Sequence, residues 1–233
     1  MLMRGLVSSR SEAENWIRLG RVRVGGRVVA KPGLFVDELA PIELAASERY
    51  VSRAGLKLAG AAKAFNLNFR DKMVLDVGSS TGGFTDFALQ HGAKKVYAVD
   101  VGTDQLHPSL RGNKRIELYE KTDIRDFVPS EIPDIVVIDV SFISLRQILP
   151  HVAKIVDKNT TIVAMVKPQF EAQRQQLTRG GVVKNDGVRR AILREFEQWA
   201  RANFIIIDKA DSEVKGAHGN LERFYILRKA GSC

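Results

Sequence analysis

Apolar residues change period along this chain, and the changes mark out its elements. From Met73 to Val77 they run almost unbroken; after Gly78-Ser79-Ser80-Thr81-Gly82-Gly83 they return at Phe84, Phe87, Ala88 and Leu89, at helical spacing. This predicts a strand, a tight glycine loop and a helix over 83–90. Further strand-length apolar runs lie at 95–99, 116–119, 135–139, 161–166, 204–209 and 224–228. Helical patterns lie at 52–65, 145–156 and 186–202, with irregular turns around 106–110 and 124–127. Strands alternating with helices predict an α/β fold of Rossmann-like, doubly wound type. The polar stretch 168–184 has no periodicity and reads as a long loop at the carboxyl edge of the sheet, where long loops are usually functional.

The front of the chain follows another pattern. Ser11 is an N-cap for a helix reaching about residue 19, with Ala13, Trp16 and Ile17 on one face, and Gly20 closes it. Val22 and Val24, a Gly25-Gly26 turn and Val28-Val29 then predict a hairpin, with a last short strand ending near 42–44. Residues 1–45 therefore form a small α+β module, 46–50 a linker and 51–233 the α/β domain.

Charge adds a partner. The chain carries a formal +9, with a pI of about 9.8, which points to a polyanion and to nucleic acid before membrane. The front module is the basic end: Arg4, Arg10, Arg18, Arg21, Arg23, Arg27 and Lys31 outnumber Glu12 and Glu14 before the first aspartate, Asp37. The single cysteine, Cys233, rules out a disulfide framework and suits the reducing cytoplasm. Four histidines without a second ligand at metal spacing argue against zinc. No apolar run approaches a membrane span and no secretory signal is expected.

The glycine loop suggests a ligand. Its spacing, D-x-G-x-x-x-G-G, departs from the G-x-G-x-x-G of dinucleotide sites, and an acid, Asp76, is expected at its mouth, where it would oppose phosphate and suit a cation. Asp100 closes the next apolar run and is placed for ribose hydroxyls. Asp123, after the third strand, would accept from an adenine amino group or cap the next turn. The pattern resembles an S-adenosylmethionine site over Asp76, Gly78, Ser79, Ser80, Gly82, Gly83 and Phe84, with a dinucleotide site or a merely structural turn as the alternatives.

Two resemblances extend the reading. The order R-G-L-V-x-S-R-x-x-A-x-x-x-I-x-x-G-x-V-x-V-x-G-x-x-x-x-K-P, from Arg4 onward, resembles the S4 RNA-binding module, although the opening helix of that module is missing or reduced to Met1-Leu2-Met3. Polar residues also end or precede strands at Asp139, Lys167 and Glu222. Lys57 reads by pattern alone as a lysine that covers apolar surface and keeps its charge in water. In order, though, Lys57, Asp139, Lys167 and Glu222 match the Lys-Asp-Lys-Glu set of FtsJ-like ribose 2'-O-methyltransferases. With S-R-A-G-x-K-L, D-V-G-S-S-T-G-G-F-T-D, D-V-S-F-I-S-L, V-K-P-Q-F-E and G-x-x-G-N-x-E, the chain resembles the TlyA family almost end to end.

That resemblance implies S-adenosylmethionine-dependent 2'-O-methylation of ribosomal RNA, on cytidine and with large-subunit RNA favoured, with Lys167 as the base. The partner would be ribosomal RNA or a ribosomal subunit. The family's other name, hemolysin, implies membrane damage, which would need an amphipathic or spanning segment; the apolar runs here are strand-length and broken by Asp or Lys. A non-catalytic RNA-binding or ribosome-assembly role is a further alternative, weakened because all four positions are filled.

Overall fold

The computed structural model describes residues 1–7, 10–18, 20–44, 50–216 and 219–231; within the first helix the side chains of residues 11, 12, 15 and 18 are also outside the description. The chain divides into two compact units, Met1–Arg49 and Tyr50–Cys233. Most of the expected linker falls outside the described residues, whereas Tyr50, at its end, is buried in the second unit against Phe87.

The first unit opens with a 3-10 turn, Leu2–Arg4, and continues through helix α1 (Arg10–Arg18) to strands β1 (Val22–Val24), β2 (Arg27–Val29) and β3 (Ile42–Leu44). β1 lies between the other two and is antiparallel to both. Gly25 and Gly26 both have positive φ, 55° and 76°, which the two-residue hairpin turn requires and which glycine adopts without a Cβ clash. Val7, Trp16 and Val22 form the small core.

The second unit begins with α2 (Arg53–Ala64), β4 (Met73–Val77), α3 (Gly83–Gln90), β5 (Lys95–Val99), β6 (Ile116–Tyr119) and β7 (Ile135–Ile138). It continues with α4 (Leu145–Val152), β8 (Thr161–Val166), α5 (Pro168–Glu171), α6 (Asp186–Ala200), β9 (Phe204–Asp211) and β10 (Arg223–Lys229). The seven strands are ordered β6-β5-β4-β7-β8-β10-β9, parallel from β6 to β8, with β10 antiparallel to β8 and β9. Every residue of β4 and of β7 is buried, because helices cover both faces of the sheet. On one face Leu75 and Ile138 pack with Leu149, Leu193 and Phe196; on the other Val74 and Val137 pack with Leu58, Phe84 and Phe87. The chain turns from β6-ward to β9-ward between β4 and β7, so the crevice of a doubly wound sheet opens at their carboxyl ends.

Three boundaries differ from expectation. α4 ends at Val152, after which the Lys154 and Ile155 amides donate to His151 O at 3.0 Å and Val152 O at 3.1 Å in tighter turns instead of continuing the helical ladder. β9 runs to Asp211 because β10 supplies a partner for it, Arg223 facing Asp211. The stretch 168–184 is not featureless: it holds α5, a 3-10 turn (Arg174–Gln176) and an antiparallel bridge between Leu177 and Val183.

Candidate active site

Three of the four polar residues of the predicted set meet at one sheet edge because of strand direction. Asp139 directly follows β7 and Lys167 directly follows β8, both at the carboxyl edge; β10 is antiparallel, so Glu222, just before it, belongs to that same edge. Arg223 faces Val166 in the ladder, which sets Glu222 across from Lys167 at the next position along. Lys57 comes from the middle of α2 and forms an ion pair with Glu222, the two side chains being 9% and 2% exposed. The sequence reading of Lys57 as a surface lysine with its charge in water is therefore corrected: its amine is buried against a carboxylate.

Lys167 forms the second pair. Its Nζ lies 2.6 Å from Asp139 Oδ1, a contact that is ionic in distance without hydrogen-bond geometry at that oxygen, and it donates to Ser141 Oγ at 2.8 Å. Surrounding groups fix the segments that carry these side chains. Glu171 Oε1 accepts from Leu145 N at 2.7 Å and Oε2 from Ser144 Oγ at 2.6 Å, tying α5 to the start of α4 just beyond Asp139 and Ser141. Arg189, buried on α6, donates to Leu221 O at 2.9 Å and shares the Asp211 carboxylate with Arg223, so both neighbours of Glu222 are held. Asn220 accepts from Val183 N at 3.1 Å and donates to Gly181 O at 3.3 Å, joining the 178–184 loop to the same segment.

A cavity of about 450 Å³ lies beside these pairs, between the carboxyl ends of β4, β5 and β7, lined by Gly78, Ser80, Asp100, Gln105, Asp123 and Asp139 and by apolar Val101, Ile124, Val140 and Ile143. A smaller one, about 130 Å³, shares Gly78, Ser80, Asp139 and Ser141 with it and adds Asp76, Ser79 and Lys167. The Asp100 carboxylate accepts from Ser80 N at 2.8 Å and Gly102 N at 2.7 Å; each oxygen keeps a lone pair for a ligand hydroxyl. Gly78, at φ 81°, lets the chain leaving β4 pass close to the chain leaving the neighbouring β7, since a Cβ there would stand 2.7 Å from the Asp139 carbonyl oxygen.

Several expectations about this loop change. Asp76 is not at the mouth: it is fully buried, donated to by Thr85 Oγ1 at 2.6 Å, with Oδ1 left without a partner, and it forms part of the floor of the smaller cavity. Burial above all, with Asp139 and Asp100 nearby, pushes its carboxyl up to about 7. Gly83 answers to the protein as well, since a Cβ there would meet Ser52 Oγ at 2.2 Å. Phe84 lines the smaller cavity but is buried, with Phe224 as its ring neighbour. Asp123 takes the turn-capping role, accepting from Arg125 N at 2.9 Å, and the Arg125 guanidinium holds its carboxyl below the usual range while it still lines the larger cavity.

Phe142 lies within the D-V-S-F-I-S-L motif, which gives no sign of its role. It is 92% exposed on the wall of the larger cavity, at φ 65°, a left-handed conformation that costs a bulky residue energy, and its ring lies 5.3 Å from that of Phe170 on α5.

In the first unit, Arg10, Arg21, Arg23, Arg27 and Lys31 are exposed; the Arg18 side chain lies outside the described residues. Arg4 is partly committed to the fold, donating to Ala40 O at 2.7 Å and to Glu38 O.

Comparison with known proteins adds an independent line. The FtsJ-like methyltransferase model matches residues 50–230 and the S4 domain model residues 1–38. The 16S/23S rRNA (cytidine-2'-O)-methyltransferase TlyA of Mycobacterium tuberculosis is 38% identical, over 98% of this chain and 87% of its own. Hemolysin A of Brachyspira hyodysenteriae is 40% identical, over 94% and 93%. A solved structure from Streptococcus thermophilus that carries a hemolysin name superposes with a TM-score of 0.80 at 40% identity, over 97% of this chain and 85% of that one.

Proposed function

The chain belongs to the FtsJ-like methyltransferase family and carries an S4 domain in front, and from that premise we propose that it methylates the 2'-hydroxyl of a cytidine ribose in ribosomal RNA, large-subunit RNA first. The observation that carries the reading is the meeting of Lys57, Asp139, Lys167 and Glu222, as two ion pairs, beside a cavity of nucleoside size. The cytidine-2'-O activity printed for the Mycobacterium tuberculosis relative, and the 23S rRNA (cytidine-2'-O)-methyltransferase TlyA of Campylobacter jejuni, 41% identical over 78% of this chain and 72% of its own, support the substrate.

The cavity fits S-adenosylmethionine better than a dinucleotide. Of the acids on the two adjoining spaces, Asp123 is paired with Arg125, Asp139 with Lys167, and Asp76 is pushed up to about 7, so Asp100 supplies the negative charge that opposes pyrophosphate and suits a cation. Asp100 binds ribose hydroxyls, the apolar walls take the adenine, and Gly78, Ser79 and Ser80 with Asp76 line the remainder. When bound, S-adenosylmethionine supplies a methyl group on a positively charged sulfur.

The residues of the chain then have separate tasks. A ribose hydroxyl is a poor nucleophile until its proton leaves, and Lys167, as the free amine, accepts that proton while Asp139 holds the resulting ammonium. The Lys57 and Glu222 pair keeps Glu222 fixed across from Lys167, so the hydroxyl is received in one orientation. Phe142 and Phe170 offer aromatic faces on which an unpaired base stacks. The basic face of the S4 domain holds RNA phosphates and sets the register. This work belongs in the cytoplasm; among the described residues no helix is long and apolar enough to cross a membrane.

The test is to incubate the purified protein with methyl-tritiated S-adenosylmethionine and unmodified small and large ribosomal subunits separately. Label in large-subunit RNA is expected. Label in neither RNA, with a cofactor that binds, would refute the reading.

A further inference from the structure

Lys167 has a second partner where the family set accounts for one. Besides its ion pair with Asp139 Oδ1 at 2.6 Å, its Nζ donates a hydrogen bond to Ser141 Oγ at 2.8 Å, and Ser141 lines both cavities. We propose that Ser141 is a positioning residue for the methyl transfer, aiming the lone pair of Lys167 at the ribose hydroxyl; the proposal rests on the 2'-O reading above.

The argument is a count of bonds. A free amine nitrogen is tetrahedral: one bond to Cε, two N–H donors and one lone pair. With Asp139 alone, the amine turns about the Cε–Nζ bond and the lone pair samples two directions. With one N–H held by Ser141 Oγ and the side facing the Asp139 carboxylate disfavoured for a lone pair by its negative charge, the lone pair has one direction left. In the transfer the hydroxyl O–H bond breaks and a third N–H bond forms on Nζ; the oxygen keeps that electron pair and bonds the methyl as the methyl–sulfur bond of the donor breaks, its pair staying on sulfur, which becomes a neutral thioether. The new ammonium keeps the hydrogen bond to Ser141 and the ion pair with Asp139, so nothing has to rearrange as the proton arrives, which is the condition for an oriented base to be effective.

The backbone is built to hold this hydroxyl in place. Ser141 sits between Asp139 and Phe142, in a segment whose Phe142 has a left-handed φ of 65° and whose continuation, Ser144 and Leu145, is held by the Glu171 carboxylate. Glu171 belongs to α5, which begins immediately after Lys167. One carboxylate thus locks the serine segment and the lysine segment to each other. The sequence offers only a serine inside D-V-S-F-I-S-L, which carries no sign that its hydroxyl faces Lys167.

The experiment compares wild type, Ser141→Ala and Ser141→Thr in single-turnover methylation of unmodified large-subunit RNA, with RNA and S-adenosylmethionine affinities measured separately. A third readout needs no turnover: 13Cε-lysine NMR of the cofactor-free protein, following the order of the Lys167 side chain. Ser141→Ala is expected to slow the chemical step roughly tenfold, the size of one lost positioning hydrogen bond, with both affinities within twofold and a more mobile Lys167. Ser141→Thr, which keeps the hydroxyl, should restore most of the rate. An Ala variant with wild-type rate and wild-type Lys167 order overturns the proposal while the 2'-O reading stands. A slow Ala variant whose RNA affinity falls in proportion overturns it too, since the hydroxyl would then be an RNA contact. Alkaline digestion of the wild-type product separates the two ideas, because a 2'-O-methyl blocks cleavage: label released entirely in mononucleotides would overturn the ribose reading and this proposal with it.

Discussion

Lys57 and Glu222, 165 residues apart in the chain, form an ion pair closed off from solvent. Burying two charges is favourable only while they face each other, and removing one leaves the other desolvated and alone. Glu222→Ala should therefore cost about 3 kcal/mol of unfolding free energy, while the pair Lys57→Met with Glu222→Leu should recover most of it. Urea titrations of the three proteins check this. Activity should be lost in both variants, so stability and chemistry separate.

Asp76 gives a pH dependence of definite sign. Its carboxyl is raised from 3.8 to about 7 in the folded protein, chiefly by burial, so between those pH values the folded state holds a proton that the unfolded state has released. Its contribution is neutral below 3.8, turns destabilising as pH rises, and is fully unfavourable above about 7, by on the order of a few kcal/mol. Asp76→Asn should then gain stability relative to wild type at pH 8 and little at pH 4. Unfolding midpoints at the two pH values measure it; a difference independent of pH would contradict the assignment.

Asp100 carries the ribose part of the cofactor site. Replacing it with alanine removes charged acceptors and should weaken S-adenosylmethionine binding by roughly 1.5 to 3 kcal/mol. Asp100→Asn, which keeps one oxygen for a backbone donor, should fall between. Calorimetry reads both, and unchanged affinity in a folded Ala variant would remove Asp100 from the site.

The sequence carried the sheet well because β4, β7 and β8 are buried on both faces and so read as nearly unbroken apolar runs, Asp76 apart, ended by Gly78, Asp139 and Lys167. It could not carry what depends on contacts across the sheet. Lys57 reads as a surface lysine because its partner lies in a distant segment, and Asp76 reads as exposed because nothing in D-V-G-S-S reveals that Thr85 folds back over it. Glycine loops suggest ligand approach, yet Gly83 is required by Ser52. The strained φ of Phe142 leaves no mark on an F in an apolar stretch. The end of α4 at Val152 leaves no mark in the apolar pattern, which continues to Ile155 and Val156.

The exposed basic residues of the S4 domain should act on RNA alone. Reversing Arg21, Arg23 and Arg27 to Glu, all exposed, should lower RNA affinity and flatten its dependence on salt, because fewer counterions are released on binding. Cofactor affinity should not change. If RNA affinity and its salt slope both stay at wild-type values, this surface does not meet phosphate.

The central claim is that Lys167 deprotonates a ribose hydroxyl, and the position of the transferred methyl tests it most directly. Ribosomal RNA labelled by the wild-type protein is digested in alkali, which needs a free 2'-hydroxyl beside each phosphate that it cleaves. The account predicts label in alkali-resistant dinucleotides, and no label at all from Lys167→Ala, although that variant should bind S-adenosylmethionine and RNA as wild type does. Label recovered as mononucleotides, with the methyl on the base, would contradict it.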